Sequence, residues 1–205
     1  MSQINDRILV LATGNPAKVK ELNALLQREG WQVRSLKDVA GDSAIDETGS
    51  TLYENAEIKA RFVRKLTGLP ALADDTGLEV DALDGRPGVY SARFAGPGAD
   101  DAQNRKNLLA KMEHITDPVQ RTARFRTVLA FIARDEIRFY EGICNGMILT
   151  EERGEGGFGY DPVFLPDGMK KSFAEIEADE KNRISHRGRA LQKFLDDLRK
   201  TWNHP

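Results

Sequence analysis

Two adjacent carboxylates, Asp74 and Asp75, follow the apolar run 71–73 and precede Thr76 and Gly77. Successive side chains of a strand point to opposite faces, so the two acids would not share one solvated surface. At least one of them would then face a cation, act as a base or accept a hydrogen bond from a buried donor. Asp-Asp-Thr-Gly is also favourable turn chemistry, and these residues alone leave both interpretations open.

A possible phosphate site lies at the first turn of the chain. The apolar run 8–12 predicts a buried strand. Three residues interrupt it, namely Thr13, Gly14 and Asn15. Asn15 fits a helix cap and Pro16 fits the first helical position, where free backbone amides suit phosphate. Lys18 would lie in the first turn, where the dipole disfavours a cation by on the order of 0.3–1 kcal/mol unless an anion offsets it. A surface lysine on an ordinary capped helix is the alternative.

A second acidic pair, Asp46 and Glu47, lies in a polar stretch that indicates a loop. Beside phosphate, an uncompensated carboxylate is repelled by about 4 kcal/mol at 4 Å and an effective dielectric of 20. A divalent cation reverses that sign, and ligands with oxygen donors alone favour magnesium or manganese. The scattered histidines, with no cysteine cluster, argue against zinc. A solvated loop pair is the alternative.

Two later segments could recognise a base. Four glycines surround Phe158 in the segment 154–159; glycine lets a backbone approach a ligand, and an exposed aromatic ring can stack on a base. The alternative is a flexible hairpin loop. The segment 181–189 is rich in hydrogen-bond donors. It places His186 and Arg187 in the first turn of the last helix, where the helix dipole disfavours a cation unless an anion or acceptor lies nearby. A plain charged helix entry is the alternative there.

The elements that position these residues alternate along the chain. Capping boxes predict helices after Thr51 and Asp100, and Ser172 with Glu175 predicts a further short helix. Strands are predicted at 8–12 and 31–36, in the apolar runs 71–73 and 78–80 that flank the two acids, and in a hairpin at 123–149, with a final helix after Ser185. This order predicts an α/β fold with a central, elongated mixed sheet flanked by helices. We expect a single domain, 1–205, with two lobes, the second at about 120–165, and a nucleotide-binding cleft between them.

Composition limits the possible partners. A formal net charge of −2 over 205 residues gives no basic footprint for nucleic acid. The single cysteine, Cys144, excludes an intramolecular disulfide; its apolar context is typical of a core residue, with a reactive thiol as the alternative. No apolar run approaches the ~18 residues of a membrane span, and segment 1–7 is unlike a signal peptide. We therefore expect a cytoplasmic protein without nucleic-acid or membrane partners.

Seven segments, in this order, carry a resemblance that spans most of the chain. They are TGNPAK at 13–18, DETG at 46–49, YENA at 53–56, ALADDTGLEVDAL at 71–83, GRPGVYSARFAG at 85–96, GGFGYDPVF at 156–164 and EKNRISHRGRAL at 180–191. Each is weak alone, but the set is specific. The chain resembles the inosine triphosphate pyrophosphatase family, whose members hydrolyse inosine, deoxyinosine and xanthosine triphosphates to the monophosphate and pyrophosphate.

The resemblance implies a magnesium-dependent homodimer, with manganese as a possible substitute, and it implies site residues. Those for the triphosphate are Thr13, Gly14, Asn15, Pro16, Ala17 and Lys18. Those for the metal are Glu47, Asp75 and Asp74. Asp75 would also be the base for the attacking water, with Lys18 and Glu47 as the other catalytic residues, and Thr76 would touch the substrate. Those for the base are Phe158, Gly159, Tyr160, Asp161, Lys181, His186 and Arg187.

Physical chemistry agrees with this reading and leaves alternatives. Donors from the segment containing His186 would face the 6-oxygen of hypoxanthine or xanthine; adenine carries an amino group there, a mismatch worth 10⁴-fold or more. The alternative enzyme is a related pyrophosphatase acting on modified pyrimidine or methylated nucleotides. An inactive nucleotide sensor and a plain dimerisation module are the alternatives outside catalysis. Retention of the acids and of Lys18 argues against a sensor.

Overall fold

The computed structural model describes residues 7–13, 16–41, 43, 45–134 and 136–202. The strands are β1 (Ile8–Leu11), β2 (Gln32–Ser35), β3 (Ala71–Val80), β4 (Pro87–Gly88), β5 (Thr122–Ala133), β6 (Glu136–Ile148) and β7 (Phe164–Pro166). The α-helices are α1 (Pro16–Leu26), α2 (Leu36–Ala40), α3 (Leu52–Thr67), α4 (Asp101–Lys111), α5 (Ala178–Ile184) and α6 (His186–Trp202). Within these ranges no helix is long and apolar enough to cross a membrane.

The strands of the described chain form one seven-stranded mixed sheet. Its order is β2-β1-β3-β5-β6-β7, with β4 paired to β3 beside this path. Strand β1 is parallel to β2 and β3, whereas β4 pairs with β3, and β7 with β6, in antiparallel fashion. The predicted α/β fold with a central mixed sheet flanked by helices is therefore confirmed.

The chain divides into two compact units. Unit 1 comprises Met1–Asp75, Val128–Tyr140 and Leu191–Pro205, and unit 2 comprises Thr76–Thr127 and Glu141–Ala190. The long strands β3 and β5 thus contribute residues to each unit. A second lobe at about 120–165 stays a prediction.

In unit 1, helix α3 illustrates how local sequence sets the fold. Thr51 accepts from the Glu54 amide and Glu54 accepts from the Thr51 amide, which is the predicted capping box. The helix ends at Gly68, whose φ of 69° suits the left-handed cap that glycine adopts easily. Its buried stripe of small and branched residues includes Leu52, Ala56, Ala60 and Val63. Val63 packs with Val10 and Ala71 of the sheet, so burial fixes the helix on β1 and β3.

The core of unit 2 contains a cluster of aromatic rings among aliphatic side chains. The Phe125 ring lies 4.7 Å from that of Phe164 and 5.9 Å from that of Phe173, between centroids. Helix α4 begins with the predicted capping box of Asp100 and Gln103. Its apolar face joins the same core through residues such as Leu108 and Met112. The aromatic cluster therefore ties α4 to β5 and β7.

A buried arginine links separate segments of unit 2. Arg121 is 3% exposed and donates to four backbone carbonyls: Nε to Ile148, Nη1 to Met112 and Ile115, and Nη2 to Leu149, at 2.7–2.9 Å. Burial lowers the pKa of this guanidinium, since a desolvated cation is disfavoured. The carbonyls replace water around it, so Arg121 secures the end of α4 to the end of β6.

Two predictions about local structure were wrong. Ser172 and Glu175 do not begin a helix. The Glu175 carboxylate accepts from the Ser172 amide, and the Glu175 amide donates to the Ser172 carbonyl, which closes a turn before α5. The turn interpretation at Asp74 was also wrong, because β3 continues unbroken through both acids. Helix α2, with a capping box of Ser35 and Asp38, was not predicted.

Candidate active site

The two acids of β3 contact different helices of unit 1. Asp74 Oδ2 lies 2.8 Å from the Lys18 ammonium in the first turn of α1. Asp75 Oδ1 lies 2.6 Å from the Lys59 ammonium of α3. This arrangement follows from strand geometry, which turns successive side chains to opposite faces. The predicted anion beside Lys18 is thus supplied, at least in part, by the protein itself.

Lys59 joins two carboxylates that are distant in sequence. Its Nζ lies 2.6 Å from Asp75 Oδ1 and 3.0 Å from Glu47 Oε1. Asn55, one helical turn earlier on the same face of α3, donates from Nδ2 to Asp75 Oδ2 at 3.5 Å. Lys59 and Asp75 are both 8% exposed, whereas Glu47 is exposed. One ammonium therefore faces two carboxylates, which leaves a negative charge for a further cation.

The charges in this cluster shift the pKa values of its members. Burial raises the pKa of Asp75, and Glu47 raises it further, while Lys59 and Asn55 only partly oppose this. Burial acts to lower the pKa of Lys59, but Asp75 and Glu47 outweigh it and hold that pKa above its ordinary value. Asp75 is therefore a stronger base than an exposed aspartate, next to a lysine that keeps its proton.

The loop that carries Glu47 is fixed by the start of α3. Asn55 Oδ1 accepts from the Gly49 amide at 2.8 Å, so this amide side chain serves both the loop and Asp75. A Cβ on Gly49 would lie 2.7 Å from Asn55 Oδ1, a distance that real Cβ atoms essentially never show. Glycine is thus required for the loop to approach α3, and this approach places Glu47 within reach of Lys59.

A pocket of about 240 Å³ opens beside this cluster in unit 1. Its lining includes Thr13, which follows β1, and the paired side chains of Glu47 and Lys59. Its full lining is Ala12, Thr13, Leu36, Lys37, Gly41, Ser43, Ile45, Glu47 and Lys59. Ligands of α/β sheets bind beyond the carboxyl ends of the strands, and Thr13 lies at that end of β1.

Several predicted phosphate-binding residues are not described in full. Gly14 and Asn15 lie outside the described residues, so predictions about them stay predictions. Pro16 begins α1, as predicted, and Ala17 follows it, but their side chains are not described. Lys18 is placed in the first turn and is half-buried.

These carboxylates suit a magnesium ion that also binds substrate phosphate better than a metal ion that is held by protein ligands alone. Within the described ranges no group of three or more His, Cys, Asp or Glu side chains could hold a metal ion. Magnesium is commonly bound by one or two carboxylates, with water and substrate phosphates completing its octahedron. Glu47 and Asp75 provide two such carboxylates, and both contact the Lys59 ammonium. Asp74, predicted as a third ligand, contacts the Lys18 ammonium, and its role toward the metal stays a prediction.

A second group of predicted residues comes together in unit 2. Asp161 Oδ2 accepts from the Phe158 amide at 2.7 Å and also contacts the Lys181 ammonium. That ammonium lies 4.6 Å from the Phe158 ring centroid and 5.3 Å from that of Phe173, within cation–π range. The Phe158 ring is 67% exposed. An exposed aromatic held beside a cation is suited to stacking on a planar, electron-rich ring.

His186 occupies a precise place at the start of α6. Its ring stacks on Phe125, with centroids 4.6 Å apart and an interplanar angle of 15°. Ser185 caps the helix by accepting from the Gly188 amide at 3.1 Å, as predicted. A Cβ on Gly142 would lie 1.9 Å from the His186 carbonyl oxygen, so only glycine lets β6 come this close.

The remaining predicted residues of unit 2 differ in exposure. The buried Nε of Arg187 has no hydrogen-bond partner among the described residues. A buried donor normally has a partner, so this atom is available for the ligand acceptor that is expected near this helix start. Tyr160 is buried and donates to the Ser91 carbonyl, which joins two loops, and its contact with the substrate stays a prediction. Thr76 is exposed, and its hydroxyl lies 2.6 Å from that of Thr127.

Lys59 and Asn55 were not among the predicted site residues. Both lie on the apolar stripe of α3, next to Ala56 and Ala60, where buried polar residues stand out from their neighbours. A lysine on such a stripe is rarely buried unless it is paired. That pattern was the available signal, although its partner Asp75 is not evident from local sequence.

The chain is similar to a known family over most of its length. The model of the Ham1 family matches residues 9–197. The dITP/XTP pyrophosphatase of Desulforamulus reducens is 50% identical over 96% of this chain and 98% of its own length. That of Bacillus subtilis is 48% identical over 90% of this chain and 93% of its own length. The chain therefore belongs to the Ham1 family.

Solved structures of Ham1 proteins are similar to this chain in fold and in sequence. A HAM1 protein from Coxiella burnetii matches with a TM-score of 0.89 at 40% identity, covering 95% of this chain and 99% of that one. The Ham1 protein of Staphylococcus aureus matches with a TM-score of 0.88 at 35% identity, covering 94% and 98%. The resemblance found in the sequence is thus confirmed along nearly the whole chain.

Proposed function

We propose that this protein is a magnesium-dependent nucleoside triphosphate pyrophosphohydrolase acting on inosine, deoxyinosine and xanthosine triphosphates. The observation that carries the proposal is the cluster of Asp75, Lys59 and Glu47, in which a buried carboxylate with a raised pKa shares one ammonium with a second, exposed carboxylate. The names of its relatives support the substrate class, since they are dITP/XTP pyrophosphatases.

The phosphate end of the reaction is assigned to unit 1. Asp75 removes the proton of the attacking water, and the product type implies attack at the α-phosphorus. Lys18 and Lys59 offset the negative charge of the phosphates and of the departing pyrophosphate. Magnesium held by Glu47 and Asp75 would neutralise phosphate charge and acidify the water. Manganese, which favours similar oxygen ligands, would substitute.

The base end is assigned to unit 2. Phe158 stacks on the purine, and Lys181 stays beside it through Asp161. His186 and the Arg187 guanidinium supply donors toward the 6-oxygen of hypoxanthine or xanthine, and the buried Nε of Arg187 supports such an acceptor. An adenine amino group at that position would leave these donors unsatisfied, which selects against ATP.

One assay tests the whole proposal. Pyrophosphate release is measured for ITP, dITP, XTP, ATP, GTP and a modified pyrimidine triphosphate, with magnesium, with excess chelator and with magnesium restored. We expect release from the first three, its loss in chelator and its return with the metal. Full activity without metal would refute the role given to Glu47 and Asp75. A preference for the pyrimidine would favour the alternative enzyme.

The proposal extends to a homodimer in the cytoplasm, which the family resemblance supports. Light scattering coupled to size-exclusion chromatography tests the dimer. A mass of twice the single chain is expected, and a monomeric mass at micromolar concentration would contradict it.

A further inference from the structure

Helix α4 holds the backbone of the glycine-rich loop from two sides. The Gly159 amide donates to Asp101 Oδ2 at 2.7 Å, and the Gly159 carbonyl accepts from Arg105 Nη1 at 2.9 Å. Asp101 and Arg105 are four residues apart, so they lie on one face of the helix. Both polar groups of a single peptide residue are therefore bound by side chains of one helix.

Arg105 also reaches the other end of the loop. Its Nε lies 3.0 Å from Glu152 Oε1, two residues before the glycine-rich segment begins at Gly154. The Arg105 side chain is 15% exposed and that of Glu152 is 42% exposed, so the arginine is the buried member of this ion pair. The guanidinium thus ties the entry of the loop to its exit.

The supporting helix is itself well fixed. Leu108 and Met112 are fully buried in the core of unit 2. Asn104, 2% exposed, donates to the Ala92 carbonyl and accepts from the Ala95 amide. Helix α4 is therefore fixed by contacts other than those to the loop.

Phe158 receives its position from these contacts. Its ring is 67% exposed, so core packing does not place it. Its amide is bound by Asp161, and the next residue is bound by Asp101 and Arg105. Gly159 has a φ of 59°, a left-handed conformation that glycine adopts easily. The peptide on each side of Phe158 is thus held while its ring stays open.

We infer that Asp101 and Arg105 are positioning residues that act through Phe158 to set purine binding. This rests on the proposed function, which assigns the purine to Phe158. With the two contacts in place, the ring is already oriented when substrate arrives, and little conformational entropy is lost on stacking. Neither residue need touch the nucleotide.

A double-mutant cycle tests whether they act through the ring. We expect Phe158→Ala to raise KM for ITP on the order of 10-fold, the loss typical of one stacking aromatic. Asp101→Ala should raise KM about 3- to 10-fold with kcat nearly unchanged, because binding alone is lost. In the Phe158→Ala background, Asp101→Ala should have almost no further effect. An equal fold-change in both backgrounds would overturn the inference.

Matched variants separate positioning from general damage to the helix. Asp101→Asn keeps an oxygen acceptor for the Gly159 amide and should restore most of the binding. Arg105→Met should behave like Asp101→Ala. Lys106→Ala, exposed on the same helix, should leave KM unchanged. Failure of Asp101→Asn to recover, or a KM change in Lys106→Ala, would contradict a specific role.

Hydrogen exchange gives a readout that needs no activity. The Gly159 amide should exchange faster in Asp101→Ala than in Lys106→Ala, since its acceptor is removed, whereas the Phe158 amide keeps its acceptor Asp161. Unchanged exchange would refute the contact itself. If the wild-type protein releases no pyrophosphate from ITP, the proposed function is refuted, and the role of Asp101 and Arg105 in purine binding is refuted with it. The exchange data would still show whether Asp101 binds the Gly159 amide.

Discussion

Lys59 Nζ lies 2.6 Å from Oδ1 of Asp75, and both side chains are about nine-tenths buried. Burying two charges is often no more stabilising than an apolar pair, so stability is a weak reason for this arrangement. Buried, perturbed carboxylates occur most often at functional sites. The exposed Glu47 on the same ammonium supports this view, because it connects the pair to solvent and to the pocket of unit 1.

Replacing Asp75 by asparagine should abolish most turnover while the fold survives. The change keeps the side-chain shape and removes the base, which typically lowers the rate ~10²–10⁴-fold, and weaker metal positioning adds to this loss. Lys59 keeps its contact with Glu47, so it is not left without a counter-charge. Pyrophosphate release and circular dichroism measure the two effects. Near-normal turnover in folded protein would point to Asp74 as the base.

His186 and Lys18 should affect substrate choice differently. We expect His186→Ala to lower kcat/KM for ITP about 10-fold more than for ATP, through loss of a hydrogen bond to the base. Lys18→Ala should lower both by the same factor, since the phosphates of the two nucleotides are alike. Measuring both nucleotides in one preparation cancels any loss of folded protein. Equal losses in His186→Ala, or a changed ratio in Lys18→Ala, would contradict this division.

Arg121→Met should destabilise the protein strongly. Loss of the guanidinium removes the donor to four carbonyls, and each buried acceptor left unsatisfied costs about 1–3 kcal/mol. We expect a fall of about 3 kcal/mol or more in the free energy of unfolding, after the gain from no longer burying a charge. Urea denaturation measures it. Arg183→Met, at an exposed position, should stay within about 0.5 kcal/mol of the wild type.

Cys144 should be unreactive in the folded protein. Burial raises the pKa of its thiol to about 11, from an ordinary 9.0. At neutral pH, alkylation should be slow until denaturant exposes the thiol. Between pH 9 and 11 the unfolded chain loses this proton while the folded chain keeps it, so the free energy of unfolding should fall across that window relative to Cys144→Ala. Fast alkylation of native protein at pH 7 would contradict this.

Local signals in the sequence predicted the elements well. The capping boxes at Thr51 and Asp100 each begin a helix, because the reciprocal hydrogen bonds form within four residues. The same pattern at Ser172 failed for a tertiary reason. Phe173 is buried in the core and its amide donates to Phe164 in β7, so the backbone is held away from a helical path.

The site was predicted in part. The acids at 74–75 and the lysine at 18 are visible as charges next to apolar strands, a contrast that sequence reveals directly. The pairing of Lys59 with Asp75 joins residues 16 apart on a helix and a strand, so it depends on how α3 packs. The contacts of Asp101 and Arg105 with Gly159 span more than 50 residues and carry no local pattern.

The division of the chain has a consequence for how the protein is made. Unit 1 includes both the strands before residue 75 and the helix residues from Leu191 onward, where Phe194 packs against Phe131 and Tyr140. On a ribosome, the early strands must wait on the order of 10 s for that helix to be synthesised. Unit 2, made of two inner stretches, is complete first. Nascent unit 1 therefore lacks the apolar partner that Phe194 provides until synthesis is nearly finished, and no contiguous fragment of the chain corresponds to it.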